Sequence, residues 1–403
     1  MQEFDNLLKK MSDIKDLDTK YRWESLELIK KLNAPSKKDE YWRLTNLRKL
    51  ASIFNKPISN KFKDININED KLDNIKISIN QNKILIDNQP KDNVLEILSR
   101  EEINDFLNKK YNNTQSLKFN NLLNNVLADR TIGLRALNNS NLSLEIIIPS
   151  IENALCANKL IIILEENTNI KIIENIQGAN NSALSHSTYI VSKESSNINH
   201  GIILSGDNSS SILGTFDIEQ DKNTSYKLTT ISYGWSFSRL DQNIKQKDGQ
   251  SETIIKGLQK SDDDQQLSTY SNIYFNGPGG KFDQINKSTA NGKSHAIFEG
   301  SIVVPQIAQQ TDASQLSRNL ILAERARIDT KPQLEIVADD VSCKHGATIS
   351  KLQEEEIFYM QTRGLSLEEA KQLQIKSFYQ DIIDNLPDNS SSSHILDSLM
   401  QSN

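Results

Sequence analysis

The sequence is poor in several residue types, and each shortage excludes a class of protein. Two cysteines in 403 residues are too few for a disulfide framework and favour a reducing compartment. No apolar run is long enough for a membrane-spanning helix, and the acidic, amphipathic amino terminus differs from a basic-then-apolar signal peptide. The net charge of −6 provides no basic field for nucleic acid or anionic membranes. We therefore expect a cytoplasmic protein that binds neither nucleic acid nor membrane.

Aromatic residues make up only 6% of the chain, and the mean hydropathy is −0.54. This small supply of core material favours an elongated fold in which each unit buries a thin apolar strip. The chain is also too long for one compact core, which suggests two or three structural regions.

Residues 1–129 are predicted to be mostly helical. Apolar residues recur at helical spacing until Pro35, which ends the run because proline cannot continue a helix. Ser36, followed three residues later by Asp39, is typical of a helix start. We therefore expect a second helix that buries Trp42 and the apolar residues after it.

The segment 56–116 shows little periodicity beyond short runs such as KILID at 83–87. We interpret it as a variable, partly irregular segment with a helix near Arg100–Tyr111. A short helix is predicted from Leu117 to Ala128.

From about Thr131 the pattern changes to short apolar runs separated by Asn, Ser, Gly and Asp. Examples are LSLEIIIP at 142–149, KLIIIL at 159–164 and GIILSG at 201–206. Such runs at near-regular spacing indicate strands, and Asn and Ser suit turns that need a left-handed backbone or a side-chain cap. Many short strands are compatible with a sandwich, a barrel or a β-solenoid.

The stretch Thr330–Ser350, TKPQLEIVADDVSCKHGATIS, combines a strand pattern with two residue types that bind metals. Cys343 and His345 are two residues apart, so on a strand they project to the same face while Lys344 points away. Iron–sulfur clusters take cysteine thiolates and sometimes histidine nitrogens. The alternative is a cysteine that packs as a small apolar residue and a histidine with a structural role. A cluster usually has four protein ligands, so this strand needs a partner chain to complete the set.

The other cysteine and the other histidines give weaker signals. Cys156 lies among apolar neighbours and is predicted to pack in the core. His186, His200 and His295 are dispersed along the β region without a metal-binding motif. They would lie on a solenoid surface, or approach one another across successive turns.

No catalytic constellation is evident. The GK at 280–281 and the GKS at 292–294 both lack the first glycine of a phosphate-binding loop, so the chain is not itself an ATPase. GPGG at 277–280 is interpreted as a turn between strands. Asp339 and Asp340 are adjacent and would face opposite sides of a strand, which makes a poor acid–base pair. We predict that the chain is not an enzyme.

The runs KPQLEI, ADDV and HGAT at 331–348, continued by IFY at 357–359, RG at 363–364 and an Ala370…Phe378 spacing, closely resemble the SufD family. These proteins are scaffold subunits of the SUF (SufBCD) iron–sulfur cluster assembly complex. The resemblance is strong over about Asn291 to Phe378 and weaker in APSKKDEYWRLTNL near the amino end. The sister SufB family usually has glutamate where this chain has Gly346.

The resemblance implies a fold and a function. The fold is mainly β, with a right-handed parallel β-helix over 130–350 and helical regions at 1–129 and 351–403. The function is a scaffold that pairs with SufB and binds the ABC ATPase SufC. His345 and Cys343 match the family's interfacial pair and would hold a transient iron–sulfur cluster shared with SufB. No cofactor would be bound permanently, and ATP would bind only to SufC.

The helices after Ser350 are the expected docking site for SufC, although capping of the β region is the plainer interpretation. Arg363-Gly364 would end the first helix, and Ser366 would cap the second. The apolar residues of the second helix are expected to line one face, with Ile382 among them. The residues assigned to docking are Phe358, Arg363, Gly364, Leu367, Ala370, Leu373 and Phe378.

Two other functions remain open from the sequence. One is a β-solenoid that binds or cleaves polysaccharide, which predicts secretion and rows of aromatic residues or carboxylates; the scarce aromatics count against it. The other is a structural adaptor in which Cys343 and His345 are inert. The chain could also form a homodimer when SufB is absent.

Overall fold

The computed structural model describes residues 2–14, 19–59, 75–80, 83–87, 94–111, 118–128, 131–387 and 392–401. Within these residues the helices are α1 (Gln2–Ser12), α2 (Lys20–Lys31), α3 (Leu47–Asn55), α4 (Arg100–Lys110), α5 (Phe119–Leu127), α6 (Glu354–Thr362), α7 (Leu367–Ile383) and α8 (Ser392–Gln401). No helix in the described part of the chain is long and apolar enough to cross a membrane.

The first strands of the described residues are β1 (Ile75–Asn80), β2 (Lys83–Asp87), β3 (Leu95–Ile97), β4 (Thr131–Ala136), β5 (Asn141–Pro149), β6 (Leu155–Leu164), β7 (Asn169–Gln177), β8 (Ala183–Ser192), β9 (Asn197–Ser205) and β10 (Ser211–Gln220). They continue with β11 (Ser225–Tyr233), β12 (Phe237–Gln246), β13 (Glu252–Ser261), β14 (Gln266–Phe275), β15 (Lys281–Ala290), β16 (His295–Val304), β17 (Asp312–Ile321), β18 (Arg327–Ile336) and β19 (Ser342–Ser350).

These strands form a parallel β-solenoid of about eight turns. From β4 onward, consecutive strands alternate between two sheets, so that each turn adds one strand to each sheet. Each strand in this part pairs in parallel with the next strand of its own sheet, which is the second strand before or after it in chain order. Antiparallel pairing occurs at the amino-terminal end, between β1 and β2 and between β3 and β4. The predicted mainly β solenoid is confirmed, and the sandwich and the barrel are excluded.

The corners of the solenoid depend on residues that accept a left-handed backbone. Asn139, Asn153, Asn167 and Asn181 have φ between 47° and 59° and recur once per half-turn. Asparagine tolerates this conformation better than bulkier residues do, because its short side chain bonds to nearby backbone. The repeated Asn between apolar runs was therefore a correct signal for turns, and GPGG likewise forms the turn before β15.

The main core lies inside the solenoid, between the two sheets. Inward positions alternate with outward positions along each strand, as a pleated strand requires. Ile146, Ile172, Ile202 and Leu228 are examples of inward residues that are completely or almost completely buried. Each turn thus buries a thin strip, in agreement with the low aromatic content.

The amino-terminal helices cover the outer face of the nine-stranded sheet. The apolar side of α1, α3 and α5 packs on outward residues of β6, β8, β10 and β12. The asparagines of α5 add polar contacts: Asn124 Nδ2 donates to the Asn158 and Ser185 carbonyls at 3.1 and 3.0 Å. The helices near Arg100 and before Ala128 are confirmed as α4 and α5.

The predicted helix start at Ser36 is wrong. Asp39 Oδ1 accepts a hydrogen bond from the Tyr41 N–H at 3.0 Å and caps a single turn of 3₁₀ helix (Glu40–Trp42). The next α-helix, α3, begins at residue 47, where the Asn46 side chain accepts bonds from two backbone N–H groups. Trp42 is nevertheless buried, as expected.

Packing against the solenoid explains this difference. The guanidinium of the fully buried Arg239, on β12, lies 3.8 Å from the ring centroids of both Tyr41 and Tyr270. Its Nη1 also donates to the Tyr41 carbonyl at 3.0 Å. These contacts hold Tyr41 in the short 3₁₀ turn, so tertiary contacts contribute to the local structure.

The carboxy-terminal helices cover the outer face of the other sheet, not the end of the solenoid. Tyr379, Ile382 and Ile383 of α7 pack with Ile203, Ile231 and Leu258 of β9, β11 and β13. Capping of the solenoid end by these helices is therefore wrong, and in the part of the chain that the structure describes the last turn keeps free strand edges.

Candidate functional site

The two predicted ligands lie on the last strand of the solenoid. β19 is the outermost strand of the ten-stranded sheet, and among the described strands it pairs only with β17. Cys343 lies opposite Ala313, and His345 lies opposite Gln315. Because Ala313 and Gln315 are both buried, Cys343 and His345 share the inner face of the last turn. This placement agrees with their two-residue spacing.

No further turn covers that inner face within the described residues. Along β17 buried residues alternate with more exposed ones, whereas all residues of β19 are exposed or half-buried. Cys343 is half-buried against the edge of the core, and His345 is exposed. Both side chains are therefore reachable from the open end of the solenoid.

The backbone of β19 also offers a free edge. The Ser342 N–H donates to the Thr311 carbonyl at 2.9 Å, on the side of β17. Because backbone groups of alternate residues in a strand point to opposite sides, those of Cys343, His345 and Ala347 point away from β17. Unpaired edges of this kind bind further strands unless something covers them.

Exposed apolar side chains cluster at this same end. Ile336 and Val337, where β18 passes into the turn before β19, are 40% and 64% exposed. Ile307, in the turn before β17, is 60% exposed, and Ile349 of β19 is 46% exposed. Apolar residues beside free edges indicate a surface that another chain covers.

The electrostatics favour a protonated thiol in the isolated chain. Partial burial, together with the negative charge of Asp312, raises the pKa of Cys343 above its usual value. A metal ion that binds this thiol would have to displace its proton.

Two donors do not make a complete metal site. In the described ranges, no group of three or more His, Cys, Asp or Glu side chains is arranged to hold a metal ion. Iron–sulfur clusters usually have four protein ligands. Cys343 and His345 can thus supply only part of a ligand set.

The residues assigned to partner docking on α6 and α7 are mostly exposed. Phe358 is 68% exposed, and Leu367 and Leu373 are each 48% exposed. Arg363 is exposed and donates from Nη2 to the Tyr359 hydroxyl at 3.0 Å. Gly364 ends α6 with a φ of 98°.

The prediction of one apolar face along α7 is wrong. Ala370 is fully buried and Phe378 is half-buried, while Leu367 and Leu373 face outward. The helix packs on α6 near its start and on the sheet near its end, so its buried side changes along its length. Apolar side chains therefore remain on an outward face that no described residue covers.

A buried polar cluster inside the solenoid escaped the sequence analysis. Glu174, His186 and His200, on β7, β8 and β9, are fully buried. The two imidazole Nε2 atoms lie 3.0 Å from the two oxygens of Glu174. The Thr188 hydroxyl donates to the same carboxylate at 2.8 Å, and the Tyr226 hydroxyl lies 3.0 Å from His200 Nδ1.

The cluster is held by charge and hydrogen bonds. Burial alone would raise the pKa of Glu174, but hydrogen bonds from His186 and His200 outweigh it and lower the pKa to about 2. His186 and His200 do come together, through Glu174, but from facing sheets half a turn apart and not from successive turns. A surface position is wrong for this pair. Two signals point to the cluster: Glu174 occupies an apolar position of its strand, and the histidines are one half-turn apart.

The remaining candidates have structural roles. Cys156 is fully buried in the core, and burial raises its pKa to about 12, as expected for a packing residue. His295 is half-buried, with Nε2 2.6 Å from Asp329 Oδ2 and Nδ1 2.9 Å from Gln266 Nε2.

Comparison with known proteins identifies the family to which the chain is similar. A family model described as the SufBD core domain of SUF-system FeS cluster assembly matches residues 146–378. The chain is 40% identical over 181 residues to an iron–sulfur cluster assembly SufBD family protein of Synechocystis, covering 43% of this chain and 39% of that protein.

Two further relatives are Protein ABCI7, chloroplastic, of Arabidopsis thaliana, and the iron–sulfur cluster assembly protein SufD of Escherichia coli. The first is 37% identical over 180 residues, covering 44% of this chain and 38% of the relative. The second is 42% identical over 105 residues, covering 26% and 25%. The chain thus spans less than half the length of these curated relatives. Because the family model covers more than half of the chain, the chain belongs to the SufBD family of SUF-system iron–sulfur cluster assembly proteins.

Proposed function

We propose that the chain is a non-catalytic scaffold subunit of a SufBCD-type complex that assembles iron–sulfur clusters. The observation that carries this proposal is the position of Cys343 and His345, side by side on the uncovered inner face of a free edge strand. Neither group is buried deep in the interior, where a cluster could not be handed over. The cluster is the cargo of the complex, and the chain holds it only during assembly.

The free edge is the proposed contact with a SufB-like subunit. A second solenoid that adds its own strands beside β19 would satisfy the backbone groups of Cys343, His345 and Ala347. It would also cover the exposed Ile336 and Val337. Because Cys343 and His345 lie on the inner face, the seam between the subunits encloses them, and the partner supplies the other ligands.

The outward apolar residues of α6 and α7 are the proposed contact with a SufC-like ATPase. Phe358, Leu367 and Leu373 offer exposed apolar area, and Arg363 adds a charge at the end of α6. This surface also has a groove of about 720 Å³ between these helices and the last strands, lined in part by Tyr359 and Leu373. ATP would bind only to the partner, whose closure would move this chain and the SufB-like subunit.

The proposal is tested by removing one ligand at a time. We expect His345→Ala and Cys343→Ser chains, co-expressed and purified anaerobically with both partners, to carry less iron and sulfide per complex than the wild type. Lys344→Ala is the matched control, because its side chain lies between them on the same strand and points outward. Normal iron and sulfide contents in both ligand variants would overturn the proposal.

A further inference from the structure

One column of inward-facing residues in the ten-stranded sheet leads directly to His345. Residues of this column are register partners in successive turns, so neighbouring Cα atoms are about 4.8 Å apart. From the amino-terminal side the column reads Ile172, His200, Leu228, Ile255, Gln284, Gln315 and His345. The two residues that precede His345 in this column are therefore the buried Gln284 and Gln315.

Hydrogen bonds give these amides a direction. Gln284 Nε2 donates to Ser271 Oγ at 3.0 Å, which leaves Gln284 Oε1 to accept from Gln315 Nε2 at 2.8 Å. Gln315 is only 2% exposed, and its Oε1 has no hydrogen-bond partner among the described residues. A buried acceptor without a donor destabilises the fold unless a donor reaches it.

The opposite sheet holds the amide in place. Gly300 of β16 faces Gln315 across the interior, and a Cβ at this position would lie 2.5 Å from Gln315 Oε1. Any larger residue would therefore displace the amide. Gly300 and Gln284 thus both restrict the Gln315 amide, and His345 is the next residue of the same column.

We propose that Gln315 is a positioning residue for His345, an inference that rests on the proposed function. In the assembled complex its Oε1 accepts the N–H of one ring nitrogen, a hydrogen bond that is not formed in this structure, so that the other nitrogen presents its lone pair to iron. Histidines that bind metals almost always donate their second N–H to an acceptor, which fixes the tautomer and the ring orientation. Within the described residues the His345 imidazole makes no hydrogen bond, and Gln315 is its register partner on β17.

Two variants and a control separate this role from simple packing. Gln315→Met and Gln315→Glu both remove the amide that donates to Gln284. Gln315→Met also removes the acceptor, whereas Gln315→Glu keeps one, so the two variants differ in the acceptor. Gln259→Met is the control, because Gln259 is equally buried and also has an unpartnered Oε1. Its column ends at Ile349 instead of His345.

The first readout is the tautomer of His345 in the complex with both partners, measured by the ¹⁵N shifts of histidines labelled in this chain alone and assigned with His345→Ala. We expect one tautomer in the wild type, in Gln315→Glu and in Gln259→Met, and a mixture in Gln315→Met. The second readout is the rate of cluster formation in the complex with both partners. We expect it to fall about 10- to 100-fold in Gln315→Met and to be retained in the other two variants.

The two readouts distinguish the failure of this role from the failure of the proposed function. An unchanged tautomer in Gln315→Met overturns the positioning role, even if the rate falls, because that loss would be structural. If the tautomer changes in Gln315→Met but the His345→Ala complex forms clusters at the normal rate, the contact is kept and the proposed function is overturned.

Discussion

Replacing Glu174 with glutamine tests the buried cluster inside the solenoid. The substitution keeps the shape of the side chain and removes its charge, so one oxygen that accepts hydrogen bonds becomes an NH₂ group. Glu174 has three close polar contacts at 2.8–3.0 Å, all in a fully buried setting. Because the NH₂ group cannot accept these contacts and leaves buried polar atoms unsatisfied, we expect a loss of about 1–3 kcal/mol in the free energy of unfolding.

The pH dependence of stability provides an independent measure of the same charge. The pKa of Glu174 is lowered from 4.5 to about 2 in the folded chain, so the carboxylate stabilises the fold above the unfolded-state pKa. This stabilisation is lost as the pH falls from about 4.5 towards 2, and it is worth about 3 kcal/mol. Glu174→Gln should lack this part of the acid dependence.

Urea unfolding followed by circular dichroism at several pH values measures both effects. Glu252→Gln is the control, because Glu252 is exposed on β13 and its loss should change stability by less than about 0.5 kcal/mol. A Glu174→Gln chain as stable as the control, with the same acid dependence as the wild type, would refute a charged Glu174.

Three further predictions concern the surfaces of the chain. Ala347→Pro removes an amide that faces the free edge and should weaken binding of the SufB-like subunit about 10- to 100-fold, measured by calorimetry; unchanged affinity contradicts strand addition. Leu373→Asp should reduce recovery of the ATPase subunit in a pull-down at an unchanged melting temperature, whereas Ala370→Asp, at a buried position, should lower that temperature. Equal recovery with Leu373→Asp would exclude this face. Arg239→Met should make the chain near Tyr41 sensitive to limited proteolysis, and continued resistance would show that the stacked cation does not hold this segment.

The strands and turns of the solenoid could be predicted from the sequence because their signals are local. Alternating apolar residues indicate strands, and Asn139 or Asn153 indicates a turn without knowledge of the rest of the chain. The pairing of strands is not a local property. Partners such as Asn169 and Asn197, whose side chains are hydrogen-bonded, are 28 residues apart, so a repeat of short strands fits a sandwich as well as a solenoid. The family resemblance, rather than the pattern, distinguished them.

The wrong and missed predictions also concern contacts between residues that are far apart in the sequence. Ser36 and Asp39 resemble a helix start, but the stacking of Tyr41 on Arg239 overrides that propensity. Glu174 and His200 lie on different strands, and only the register of the turns brings them together. For the candidate site, the two-residue spacing of Cys343 and His345 was enough to put them on one face, whereas Gln315 could be found only from the pairing of β17 with β19.

The central claim is that β19 forms the seam with a second subunit around Cys343 and His345. Hydrogen–deuterium exchange of the segment 340–350, compared between the isolated chain and the complex, tests it most directly. The amides of Cys343, His345 and Ala347 face the free edge, so we predict fast exchange in the isolated chain and strong protection in the complex. Equally fast exchange in both states, with new protection elsewhere on the chain, would contradict the account.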